Sequence, residues 1–166
     1  MKTYIGIDNG VTGAFALVSP DEQWQFAPVS VLDCGRDRLL DIPGNLDFIR
    51  HAAEQAGGRE NLVVVCERQL KNPLFGAKGN FANGRNGEFW RVLLTLEGIP
   101  FCWVDPRTWQ KQILQGIAGT DTKKMARLFL KQRYPGLKLE DQFGSATIEG
   151  VRDALCIALW ARMNSK

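Results

Sequence analysis

Five consecutive apolar residues, Leu62 to Cys66 in NLVVVCE, constrain this chain more than any other stretch. A strand with one wet face alternates apolar and polar residues, whereas an unbroken run rich in valine needs cover on both faces. The chain must therefore build a sheet with helices above and below it. Glu67 closes the run, which puts a carboxylate at the sheet rim, where open α/β sheets bind ligands.

The remaining segments supply the cover. KTYIGID and GAFALVS have strand composition and are parted by a glycine turn; EQWQFAPVSVL reads as a third strand. Their short connections predict an antiparallel meander. CGRDRLLDIPG reads as a loop, and NLDFIRHAAEQAGG as a helix with an Asn start and a Gly-Gly stop. RQLKNPLFGAKGNFANGRNG has no periodicity and is rich in Gly, Asn and basic residues, which predicts a long functional loop. EFWRVLLTLEG predicts a helix, IPFCWVD a strand, PRTWQKQILQG a short helix and TDTKKMARLFLKQRYPG a capped helix. KLEDQFGSAT reads as a loop before a closing helix, IEGVRDALCIALWARMN. The order β-β-β-α-β-α-β-α-α predicts an α/β protein with a mixed five-stranded sheet flanked by helices, in the order of the ribonuclease H fold. One domain, residues 1–166, holds all of it.

No apolar run approaches the roughly 20 residues that cross a bilayer. The acid at residue 8 argues against a signal peptide. Four widely spaced cysteines and a single histidine, His51, argue against zinc and for small core thiols in a reducing, cytoplasmic setting. Net charge is +3 but unevenly spread: residues 68–133 hold twelve Lys and Arg against four Asp and Glu, and the remainder nine against fourteen. A basic middle suits a polyanion partner, and acids that cluster in space suit a divalent metal.

Four acids are placed to meet. Asp8 ends the first strand; on its own it reads as a hairpin residue, a phosphate-loop acid or a metal ligand. Glu67 ends the buried strand and lies beside Asp8 if the two strands are neighbours. Glu149 and Asp153, spaced i,i+4, share one face of the last helix. Glu149 also reads as a first-turn charge favouring the helix dipole. Four converging carboxylates repel unless a cation sits among them, and all-oxygen sites suit Mg²⁺ or Mn²⁺.

GIDNGVTGAFALV, VVVCER, VDPRTWQKQILQGIAGTDTKKMARLFL and EGVRDALCIALWA together resemble the RuvC-type Holliday junction resolvases, over nearly the whole chain and in the same order. The third block and the acid pair resemble most the plastid and phage branch. The resemblance implies a ribonuclease H fold, a homodimer, Mg²⁺ (two per site, with Mn²⁺ substituting) and paired nicking of four-way DNA junctions. It implies Asp8, Glu67 and Asp153 as metal ligands, with Asp8 bridging. Bacterial members carry a fourth acid three residues before Asp153; here Gly150 stands there, and Glu149 is the substitute. Lys111 and Lys123 match lysines near the reaction centre, with Lys124 competing for the second role. Arg68, Lys71, Lys78 and Arg85 offer phosphate contacts. Leu70, Phe75 and Phe81 are candidates for an apolar wedge at the junction centre.

Other readings place the chain elsewhere. DNGVTG also resembles the phosphate turn of actin-like ATPases, but those close two such domains over a nucleotide. A binding-only module gains nothing from packed acids beside phosphates. Another ribonuclease H-fold nuclease, acting on RNA–DNA hybrids or other branched DNA, is the alternative. The helix GEFWRVLLTLEG is apolar nearly all round, so it predicts burial on two sides. Phe89, Val92, Leu93 and Leu96 would cover the sheet, and Trp90 and Leu94 would face a partner copy. The implied location is the cytoplasm of a bacterium or a phage-infected cell, or an organelle.

Overall fold

The computed structural model describes residues 1–70 and 73–165. Seven strands and five α-helices follow in the order β1 (Thr3–Ile7), β2 (Ala14–Val18), β3 (Trp24–Pro28), β4 (Val31–Cys34), β5 (Asp37–Leu40), α1 (Ile42–Gln55), β6 (Leu62–Glu67), α2 (Gly76–Leu96), β7 (Phe101–Val104), α3 (Pro106–Ile113), α4 (Thr122–Arg133) and α5 (Ser145–Asn164). The main sheet has the order β3-β2-β1-β6-β7. β1 to β3 form the antiparallel meander, and β6 and β7 lie parallel to β1 and β6 respectively. This is the mixed five-stranded sheet expected from the sequence. No described helix is long and apolar enough to cross a membrane.

Strand alternation divides the core into two layers. Ile5, Ile7, Leu62, Val64 and Cys66 face α1 and α2, beside Ile49, Trp90 and Leu94. Ala14, Ala16, Val18 and Val65 face the other way, onto α5 and the helices around it. β6 is thus covered on both sides, as its unbroken apolar run demands. β1 touches α5 backbone to backbone: a Cβ at Gly6 would collide with the main chain of Ala154 and Ala158.

Four expectations fail locally, each for a physical reason. The stretch read as a third strand plus a loop splits into β3 and a separate hairpin, β4–β5. Gly35, with φ of +66°, takes the first place of its two-residue turn, a conformation costly for other residues. α1 starts at Asp41 and not at Asn45: Asp41 Oδ2 accepts from the Gly44 N–H at 3.0 Å, and Asn45 is fully buried, binding both backbone groups of Ser30. The glycine-rich stretch expected as a long loop is mostly the first half of α2. Glycine costs a helix about 1 kcal/mol per residue, but the buried Trp90, Leu93 and Leu94 anchor the helix, which extends back to Gly76. Finally, Cys66 and Cys156 are core thiols as expected, whereas Cys34 on the hairpin and Cys102 on the edge strand are exposed.

The outward face of α2 also differs from the one expected, although Leu93 is buried and Phe89 packs against the core as predicted. Trp90 and Leu94 are fully buried, whereas Val92 and Leu96 are exposed. Leu94→Lys would place a charge in a packed apolar layer. Urea unfolding should show a loss of at least about 3 kcal/mol; wild-type stability would contradict the packing described here.

Candidate metal centre at the sheet rim

Asp8 and Glu67 owe their proximity to register. β1 and β6 pair in parallel through Ile7 and Cys66, so the next residue on each strand is an acid. The same alternation that turns Ile7 and Cys66 toward α2 turns Asp8 and Glu67 toward α5. There α5, held against Gly6, brings up Asp153 one residue before the Ala154 contact. The three carboxylates are neighbours in charge: Asp8 and Glu67 both act on Asp153, and Asp8 acts on Glu67.

Each is largely enclosed by protein while keeping some solvent-facing surface. Burial pushes the Asp8 carboxyl up to about 6, against a hydrogen bond from the Gly10 N–H and the charge of Lys123. Burial and the Asp8 charge push Glu67 to about 7, opposed by a hydrogen bond from Trp109. Burial, then Asp8 and Glu67, push Asp153 to about 8. Three acids raised together prefer to hold protons, or a cation in their place.

The donor chemistry fits a hard divalent ion, since all the candidates are carboxylate oxygens. No three Asp, Glu, His or Cys side chains among the described residues are already drawn together as a metal-holding group. In the present rotamers the acids are adjacent rather than convergent. Glu67 Oε1 accepts from the indole Nε1–H of Trp109 at 2.8 Å. Glu149 forms an ion pair with Lys123 and is about half exposed.

Gly150 packs against the turn between β1 and β2. A Cβ at this position would lie 2.8 Å from the Thr12 carbonyl oxygen and 3.0 Å from the Gly13 Cα. The turn between β1 and β2 therefore fills the space that a side chain at 150 would need. Glu149 stands one residue earlier, outside that contact, and its charge still reaches Asp153.

The other expected residues divide. Lys123 is at the site, with Glu149, Asp153 and Asp121 holding its ammonium above its usual range. Lys111, exposed in the last turn of α3, is not among the charges acting on the three acids. Lys124 pairs with Asp121 at 3.9 Å and Arg68 with Asp105 at 3.3 Å. Lys78 pairs with Asp37 at 3.4 Å, and Arg85 donates to the Arg38 carbonyl at 3.1 Å, so both lean on the β4–β5 hairpin. Leu70, Phe75 and Phe81 are exposed; Lys71 lies outside the described residues.

Three supporting residues carried no signal in sequence. Fully buried Asn9 donates to the Glu67 carbonyl at 2.7 Å and accepts from Gln69, tying the end of β1 to the end of β6. Trp90 donates to the Asn9 carbonyl at 3.3 Å, and Trp109 steadies Glu67 as above. Each joins distant segments, and only the folded chain brings them together.

Solved structures that this chain resembles include three of known description. Thermus thermophilus RuvC is 21% identical with a TM-score of 0.57, covering 97% of this chain and 96% of that one. T. thermophilus RuvC in complex with a Holliday junction substrate is 18% identical with a TM-score of 0.52, covering 99% and 97%. The yeast mitochondrial Holliday junction resolvase Ydc2 is 16% identical with a TM-score of 0.52, covering 95% of this chain and 77% of its own. The chain has the RuvC fold. No protein-family model and no curated protein matches its sequence.

The raised carboxyls fix the sign of a pH effect. Their folded values lie above the ordinary 3.8 and 4.5, so between about pH 4 and 8 the native state binds more protons than the unfolded chain. Their contribution to stability therefore falls as pH rises through that window. Asp153→Asn should raise the melting temperature of metal-free protein more at pH 8 than at pH 5, and saturating Mg²⁺ should shrink the gain. An equal shift at both pH values would remove Asp153 from the carboxylate cluster.

Proposed function

We propose that the chain is a Mg²⁺-dependent endonuclease that resolves four-way DNA junctions by paired symmetric nicks. The observation carrying this reading is the buried, mutually coupled trio Asp8, Glu67 and Asp153 at one rim of a RuvC fold, beside a basic middle segment. The RNA–DNA hybrid or branched-DNA nuclease is the alternative, distinguished by substrate shape.

Two Mg²⁺ ions, or Mn²⁺ in their place, would supply water activation and stabilisation of the leaving 3′-oxygen. Asp8, Glu67 and Asp153 are the ligands we assign, with Glu149 as the fourth once it leaves Lys123. Trp109 fixes one oxygen of Glu67 and leaves the other for a ligand. Lys123, freed from Glu149, would hold the scissile phosphate and offset charge developing on it. Lys111 is assigned a phosphate contact. Arg68, Lys71, Lys78, Arg85 and Lys124 would grip backbone without reading sequence, with Phe75 and Phe81 toward the junction centre. The setting that fits is the cytoplasm of a bacterium or a phage-infected cell, in DNA recombination or repair.

Two opposed nicks call for two active sites, and a C₂ pair of chains is the simple way to provide them. The surface we assign to the pair is an apolar groove of about 370 Å³ between α1 and α2, lined by Ile42, Leu46, Phe89, Val92 and Leu96 and edged by charged residues.

Cleavage of a synthetic four-way junction, beside duplex, fork and RNA–DNA hybrid, tests the substrate. The junction should be cut in preference, Asp8→Asn should abolish cutting while keeping binding, and Glu149→Gln should slow it by about 100-fold or more, as removing a ligand does. Preference for the hybrid would select the alternative, and a wild-type rate for Asp8→Asn would remove the site. Light scattering should show a dimer that Val92→Glu with Leu96→Glu converts to a folded monomer; a monomeric wild type, alone and with junction, would overturn the assembly.

A further inference from the structure

The ion pairs of α4 and its following turn leave positive charge unspent on the side of α5 away from the groove above. A cavity of about 350 Å³ there is lined by Arg127, Lys131, Lys138 and Arg152 against only two acids, Glu140 and Asp141. Glu140 bonds Arg152 at 2.7 Å and Arg127 at 3.4 Å, so it is shared between the two arginines. Lys131 and Lys138 make no ion pair among the described residues and are exposed. The cavity is thus a hollow with four cations against two acids, one of which, Glu140, is already engaged.

Its position gives the excess charge a direction. Lys124, Arg127 and Lys131 fall at i, i+3 and i+7 on α4, which puts them along one face. Lys123, at the start of the same helix, is tied to Glu149 beside the carboxylate centre. Cations therefore line the way from the site rim to the cavity, those nearest the rim paired with acids and Lys131 and Lys138 at the far end in no ion pair among the described residues. From Lys124 to Lys131 the helix advances about 10 Å at 1.5 Å per residue, about the axial rise of three base pairs of duplex DNA.

We propose that the α4 face and the Lys138 turn form a backbone track for a DNA arm leading away from the reaction centre, with Lys131 and Lys138 as its distal phosphate contacts. This rests on the nucleic-acid reading of the site. It adds a surface separate from the basic residues near α2. The track recognises phosphate spacing and not bases, and it lengthens the bound stretch of arm beyond what the carboxylate rim touches.

The test uses the whole chain in EDTA, so that nothing is cut, and compares wild type with Lys131→Gln/Lys138→Gln. Both sites are exposed, and thermal unfolding verifies that the fold is kept. Affinity is measured against salt for a long-armed four-way junction, the same junction with arms cut back to a few base pairs, and plain duplex. The variant should lower the slope of log K against log [salt] by about 1 per lysine on long arms, with the difference lost on short arms. An unchanged slope on long arms, or an equal loss on short ones, overturns the track. A reduced slope on duplex with no wild-type preference for the junction would keep the track and overturn the junction reading instead.

Discussion

The contact between Gly6 and the backbone of Ala154 and Ala158 is the constraint on which the site depends. Only a residue without a side chain lets α5 lie this close to β1. Closer helix approach carries Asp153 to the end of the strand that presents Asp8. Parallel pairing then brings Glu67 alongside, and Trp109 and Asn9 fasten its side chain and backbone. Apolar packing supplies the stability for this arrangement, while three like charges oppose it. The carboxylate cluster is thus a local cost carried by a well-packed sheet, a pattern common at functional sites.

The second constraint is Gly150. It is the point where α5 crosses the β1–β2 turn, and the turn leaves no room for a side chain. Glu149, the acid at the neighbouring position, lies further into solvent. Lys123 finds Glu149 there. The pair holds a cation and an anion against each other beside the three carboxylates.

How much of this was legible beforehand follows from the kind of signal involved. The unbroken run 62–66 announced a strand covered on both faces, and strand-end acids announced a rim site. Both depend on short-range pattern; the strand is covered on both faces, and Asp8 and Glu67 lie side by side at its end. The hairpin β4–β5 was missed because its strands are short and mostly wet, so neither alternation nor burial marks them. The first half of α2 was missed because glycine and asparagine speak against a helix locally, while the force that builds it comes from Trp90 and Leu94 further on. The outward face of α2 was placed correctly for Leu93 and Phe89 but not for Trp90, Val92, Leu94 and Leu96, because a helix apolar all round does not say which side meets the sheet. Asn9 and Trp109 act on residues far along the chain, a relation that no local pattern carries.

The central claim is that Asp8, Glu67 and Asp153 form one divalent-cation site. Direct titration of Mn²⁺ into metal-free protein, followed by electron paramagnetic resonance without DNA, addresses it before any question of substrate arises. The account predicts saturable binding that weakens as pH falls through the raised carboxyl range and is lost in Glu67→Gln with the fold intact. Binding that survives Glu67→Gln unchanged, or no binding by the wild type at pH 8, would contradict it.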